Sequence, residues 1–140
     1  MAANIDVVKL TNATKSVAMD CFYIASQSVG DAYALPDLIM HDVNVGGEPV
    51  FIAQENGYVR GFVRGRVSPC GQIVRIHDLY VDLRARKRGI GRKLLNAYEA
   101  YARGCGVKSL HVQARSGAVN FYARHGFIRV GAGNMFQKTL

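Results

Sequence analysis

The chain has 140 residues, 49% of them hydrophobic, with 18 basic against 10 acidic residues and a formal charge of +8. That length and apolar content fit a single domain, residues 1–140, with a sizeable core, and they exclude an intrinsically disordered chain. No run of 18 apolar residues occurs, so no membrane-spanning helix is expected.

The residues Met1 to Lys9 lack a basic stretch followed by an apolar one, so no signal peptide is expected. Ile5–Thr11 alternates and predicts an opening strand. Asn12 or Thr14 caps a helix that runs through Cys21–Ser26, with Val17, Cys21, Phe22 and Ile24 on its apolar side and Gly30 at its end. Asp31–His41 predicts a shorter helical segment interrupted by Pro36. Between 31 and 48 lie Asp31, Asp37, Asp42 and Glu48 with no Lys or Arg, a wall that would suit a cationic amine. A solvated helix face explains the same charges.

Val50–Ala53 and Tyr58–Val67 flank Asn56-Gly57, the pair that favours a type I′ hairpin turn. Pro69-Cys70-Gly71 makes the next turn and Ile73–Val81 the next strand, completing an antiparallel meander. Gly89–Arg103 reads as a helix carrying Leu94, Leu95, Tyr98 and Ala102 on one face, stopped by Gly104 and Gly106. Ser109–Ala114 is a strand, and a strand–helix–strand unit of this length implies a parallel right-handed crossover. Ser116 or Gly117 opens a helix over Ala118–His125, ended by Gly126. Phe127–Val130 and Met135–Thr139 form a terminal hairpin around a short Gly-rich turn, which would leave an acceptor groove open. The predicted fold class is an α/β sandwich with a mixed, mostly antiparallel sheet.

Six of the 18 basic residues fall between 84 and 93 with no acid among them: Arg84, Arg86, Lys87, Arg88, Arg92 and Lys93. The remaining 12 nearly balance the 10 acids, so the basicity is local. It sits on a strand–turn–helix junction with glycines at 89 and 91. A helix N-terminus offers unpaired N–H groups and a favourable dipole, and glycine lets the backbone approach a phosphate. No Gly-Lys-Ser/Thr follows, so this is not a P-loop, and the third glycine of a dinucleotide fingerprint is missing. No aromatic residue interleaves with the cluster, so a nucleic-acid partner is not expected. Cys21, Cys70 and Cys105 make neither a disulfide framework nor a metal motif, and a reducing, cytoplasmic compartment is the simplest reading. No His/Cys/Asp/Glu cluster has metal spacing.

Arg86-x-x-Gly89-x-Gly91 after the strand Ile76–Val81 resembles the acyl-CoA motif of the GNAT superfamily of N-acyltransferases. Ala118–Phe127, with Tyr122 inside and Gly126-Phe127 at its end, resembles that family's second motif, and Val50–Gly126 is similar to it in register. The resemblance implies a central parallel strand pair that splays apart, helped by a β-bulge in the first strand. It also implies acetyl-CoA as co-substrate and an amine acceptor, with no metal and no membrane; a homodimer is compatible with it. Leu79, Tyr80 and Val81 would meet the pantetheine arm through their backbones, or else are plain core residues. Arg86, Lys87, Arg88, Gly89, Ile90, Gly91 and Arg92 would hold the pyrophosphate.

By the same resemblance Tyr122 is the general acid for the departing thiolate, since a phenol stays protonated at neutral pH; the bland reading is a buried aromatic. His77 stands where some members carry a histidine near the acceptor amine, and with Asp78 it is the candidate proton acceptor, or a hydrogen-bonded core histidine. Two positions depart from the family pattern. Arg75 replaces the glutamate of histone-modifying members, and Arg115 stands where many members have asparagine. Arg115 would reach a phosphate of the cofactor or only solvent. The alternative to an enzyme is a non-catalytic module that binds CoA or nucleic acid with the basic cluster.

Overall fold

The alternating apolar segments become β1 (Ile5–Lys9), β2 (Val50–Glu55), β3 (Tyr58–Val67) and β4 (Ile73–Val81) in a computed structural model that describes residues 4–30 and 32–140. These four pair antiparallel in sequence order, and Asn56 (φ 51°) and Gly57 (φ 82°) take the two left-handed conformations that their turn requires. β5 (Ser109–Gln113) joins β4 in parallel, and the terminal hairpin of β6 (Ile128–Arg129) and β7 (Met135–Thr139) completes a seven-stranded sheet of order β1-β2-β3-β4-β5-β7-β6. The expected mixed α/β architecture, with one parallel pair in a mostly antiparallel sheet, is the observed one.

Thr14 caps helix α1 (Lys15–Ser26), its Oγ1 accepting the Val17 N–H at 3.2 Å. The helix stops at Ser26, four residues before Gly30, and the side chain of Gln27 at its end turns to the loop after β4. Its Oε1 accepts the Leu83 N–H at 2.9 Å. Helix α2 (Leu35–His41) carries Pro36 in its first turn, so the proline starts the helix instead of interrupting it. Its missing N–H falls where no intrahelical partner exists. A π-helical turn, Asp42–Gly46, extends α2 until Gly47 (φ 66°) ends it. Asp31 lies outside the described residues.

Helix α3 (Ile90–Gly104) lays Leu94, Leu95, Tyr98 and Ala102 on Val63, Val74, Ile76 and Leu110 of the sheet. Helix α4 (Val119–Arg124), preceded by a 3-10 turn at Ser116–Ala118, packs Tyr122 on the same side. On the opposite side α1 and α2 bury Cys21, Ile24 and Ile39 against Ile52 and Phe62. No helix of the described residues is long and apolar enough to cross a membrane.

One irregularity governs the site. Arg64 pairs with Asp78 but Gly65 pairs with Ile76, so His77 is an extra residue, a β-bulge in β4. A bulge shifts the side-chain alternation by one. Val74 and Ile76 face α3, and so do Leu79 and Val81, whereas Tyr80 packs toward α1 and α2. Opposite the bulge, a Cβ on Gly65 would come within 2.6 Å of both the Arg75 carbonyl and the Tyr98 hydroxyl. Gly65→Ala is expected to destabilise the fold by about 1–3 kcal/mol, the usual scale of overpacking. Denaturant unfolding at equilibrium checks this, and an unchanged midpoint would contradict it.

Candidate active site

The parallel pairing of β4 with β5 covers only Ile73–Ile76 against Ser109–Val112. From His77 onward the two strands separate into a cleft. The Asp82 N–H donates to the Arg60 carbonyl at 2.8 Å, so the alternation of the antiparallel ladder turns the backbone of Tyr80 toward β3. The backbone groups of Leu79 and Val81 therefore face the cleft. Tyr80 differs from its two neighbours here: its peptide group turns to β3, and its side chain packs toward α1 and α2. The Val81 carbonyl is met by Arg86 Nε at 3.4 Å.

The turn that follows β4 has two left-handed residues, Lys87 (φ 64°) and Gly89 (φ 76°), and Gly89 caps α3 without any side-chain hydrogen bond. The Lys93 N–H closes the first turn on the Gly89 carbonyl, leaving the N–H groups of Ile90, Gly91 and Arg92 without intrahelical partners. No acidic residue occupies that first turn. Gly91 sits where a Cβ would lie 3.3 Å from the Phe121 ring, so it lets α4 close over α3. Ile90 is buried in the core and can contribute only its backbone.

The basic cluster is less free in space than in sequence. Arg84 pairs with Asp82 at 3.1 Å, and Arg88 and Arg60 both pair with Glu55. The Arg88 hydrogen bond holds the Glu55 carboxyl below the usual carboxylate range. Arg86 donates to Ser28 Oγ at 3.1 Å, tying the end of α1 to the turn. Lys87, Arg92 and Lys93 form no salt bridge among the described residues and are exposed.

Tyr122 is 5% exposed, edge-on to Phe121 and Phe127, and burial pushes its phenol well above the ordinary tyrosine range, helped by the Tyr80 and Asp78 charges. His77 and Asp78 share the opposite face because of the bulge. Burial lowers the His77 pKa, and the Arg64, Arg66 and Arg75 charges add to this against the pull of Asp78. Arg64 donates Nε to Asp78 and Nη1 to Asp42, each at 2.8 Å, and Arg66 reaches Asp42 at 2.9 Å.

That network was not anticipated. Asp42 was expected on an open acidic wall, yet it is 1% exposed and held by two arginines. Glu48 is drawn in as well, accepting the Val67 N–H at 3.2 Å. Only the period-two placement of Arg64 and Arg66 in a strand hinted at a shared face; the partner from α2 left no local signal. Arg115 lies with its guanidinium 5.9 Å from the Tyr80 ring, at the mouth of the cleft. His125 caps α4, with Nδ1 3.3 Å from the Phe121 carbonyl. Among the described residues no group of three or more His, Cys, Asp or Glu could hold a metal, and the three cysteines are free.

The profile of the Acetyltransferase (GNAT) family matches residues 12–127. Glucosamine 6-phosphate N-acetyltransferase 1 of Oryza sativa subsp. japonica is 32% identical over 62 residues, which are 44% of this chain and 38% of that protein. An N-acetyltransferase from Staphylococcus aureus Mu50 superposes with a TM-score of 0.78 at 18% identity, over 97% of this chain and 98% of its own. The PaiA N-acetyltransferase of Thermoplasma acidophilum, solved with coenzyme A, gives 0.79 at 14% identity over 98% and 99%.

Proposed function

The chain belongs to the GNAT family of acetyltransferases, and from that premise we propose that it moves an acetyl group from acetyl-CoA to the primary amine of an acceptor. The observation that carries the reading is the joint aim of two unpaired backbone sets. The N–H groups of Ile90, Gly91 and Arg92 open at the turn, and the peptide groups of Leu79 and the N–H of Val81 open into the adjoining cleft, where the Val81 carbonyl is held by Arg86. The first set suits a pyrophosphate flanked by Arg86, Lys87, Arg88 and Arg92, and the second suits the amides of a pantetheine arm. Arg115 is the further cation of that ligand set. Acetyl-CoA, when bound, supplies an activated acetyl thioester and leaves as a thiolate.

Tyr122 holds a proton at Oη for the leaving sulfur, and its buried phenol keeps that proton at neutral pH. His77 takes a proton from the acceptor nitrogen, directly or through water that Asp78 helps to order. Cleft backbone donors favour negative charge on the acetyl oxygen. The name of the rice relative supports a primary amine on a small molecule as acceptor. Nucleic acid is a poor fit, since no aromatic residue interleaves with the basic cluster to stack on bases.

Thiol release from acetyl-CoA is expected to depend on added amine across a panel of primary amines. Binding of acetyl-CoA with no amine-dependent release would favour the non-catalytic module instead. The pH dependence has a defined sign. A base must be neutral, and the His77 pKa is lowered in the fold, so the acid limb of kcat/KM should lie at lower pH than an ordinary histidine would give. His77→Gln should remove that acid limb from the pH–rate profile; an unchanged limb would exclude His77 as its source.

A further inference from the structure

We propose that Arg66 and Arg75 form an anion subsite beside His77, so that the amine this protein accepts is a small molecule that also carries a phosphate or carboxylate. The inference rests on the acetyl-transfer reading and names the acceptor class for it.

Arg66 and Arg75 are directly opposite in the β3–β4 ladder and share the sheet face that carries His77. Their Cβ atoms are then about 4.5–5.5 Å apart, a spacing at which like charges repel unless an anion lies between them. Arg66 is partly served by Asp42, which it divides with Arg64. Arg75 is exposed and forms no salt bridge among the described residues. Other acids on this face are engaged: Asp78 by Arg64, and Glu48 by the Val67 N–H. Next to Arg75 in β5 stands His111, half-buried, with Nε2 3.2 Å from Ser109 Oγ. Arg75 is therefore the arginine of this face that no acid engages among the described residues.

Position fixes the kind of ligand. Arg75 lies two residues before His77, about 7 Å along a strand that rises about 3.3 Å per residue. An amine at His77 and an anion at Arg75 are thus the two ends of one small molecule. The phosphates of acetyl-CoA are assigned elsewhere, since the 86–91 turn feeds α3 on the opposite side of the sheet.

The site is read first without catalysis. Inorganic phosphate, titrated at constant ionic strength, should raise the apparent pKa of the His77 ring followed by NMR, because an anion offsets Arg64, Arg66 and Arg75. The shift should vanish in Arg75→Gln. Turnover then separates the anion types. O-phosphoethanolamine should exceed ethanolamine in kcat/KM, or 4-aminobutyrate should exceed butylamine, by about 10-fold or more, the scale of one charge-assisted bond. That ratio should fall toward one in Arg75→Gln and survive in part in Arg75→Lys. A His77 titration unmoved by phosphate, or moved equally in Arg75→Gln, would overturn the subsite. So would a ratio indifferent to Arg75, or faster acetylation of a lysine in an acidic peptide than of either small anion. A phosphate response lost with Arg75, in a protein that acetylates no amine, would reject the enzyme reading and leave the anion site standing.

Discussion

Tyr122→Phe is expected to lower the turnover number by about 10²-fold or more, the usual scale of acid–base assistance. The change removes one oxygen and keeps the ring that packs against Phe121 and Phe127 at 5.2 and 5.3 Å. Folding should therefore survive, and near-UV circular dichroism and the unfolding midpoint should stay close to those of the parent. Acetyl-CoA affinity should change little, because the hydroxyl is assigned to the leaving sulfur and not to the phosphates. The pKa of that hydroxyl is raised by burial, so it stays protonated at neutral pH, where the lowered pKa of His77 favours the neutral ring. Acid and base are thus poised together at neutral pH. A stable Tyr122→Phe protein with normal turnover, where chemistry limits the rate, would return the residue to a packing role.

Gly89→Glu is expected to abolish acetyl-CoA binding in calorimetry. Gly89 holds φ at 76°, a conformation that costs a residue with a Cβ about 1–2 kcal/mol, and nothing lies within 4 Å of where that Cβ would stand. A glutamate there adds like charge in front of the three open N–H groups of α3. Gly89→Ala separates the two effects: it pays the strain alone and should weaken binding without removing it. Gly91→Ala should act differently, by pressing Phe121 away at 3.3 Å and loosening α4 over α3. High salt should weaken the parent only moderately, since backbone hydrogen bonds persist when side-chain charges are screened. Full affinity in Gly89→Glu would place the phosphates elsewhere.

Local rules carried much of the chain. Hydrophobic period, the Asn56-Gly57 turn and the Gly89, Gly106 and Gly126 punctuation act over a few residues, so the strands, the helices and the parallel crossover follow from the sequence by itself. The turn after β4 and the Tyr122 helix were likewise legible, because each is a contiguous motif whose conformation is set by its own residues. Boundaries that depend on distant partners were not. α1 ends at Ser26, four residues short of Gly30, and α2 starts at Leu35, so Pro36 falls in its first turn.

Charge was where tertiary structure decided. The sequence counts Asp42 as an acid in an acidic stretch and Arg64, Arg66 and Arg75 as scattered strand cations. The fold buries Asp42 between two of them and leaves the third without a salt bridge among the described residues. Coulomb energy depends on separation and burial in space, and neither is encoded by spacing along a chain. In the same way, a single extra residue at His77 turns Asp78 onto the histidine's face and the peptides of Leu79 and Val81 into the cleft. A bulge is a mismatch between two strands, so the alternation of one strand does not announce it; only the family resemblance pointed to one in this strand. The sequence determined the strand, turn and helix elements from which a cleft is made; only the pairing of β3, β4 and β5 decided where that cleft opens and what charge it presents.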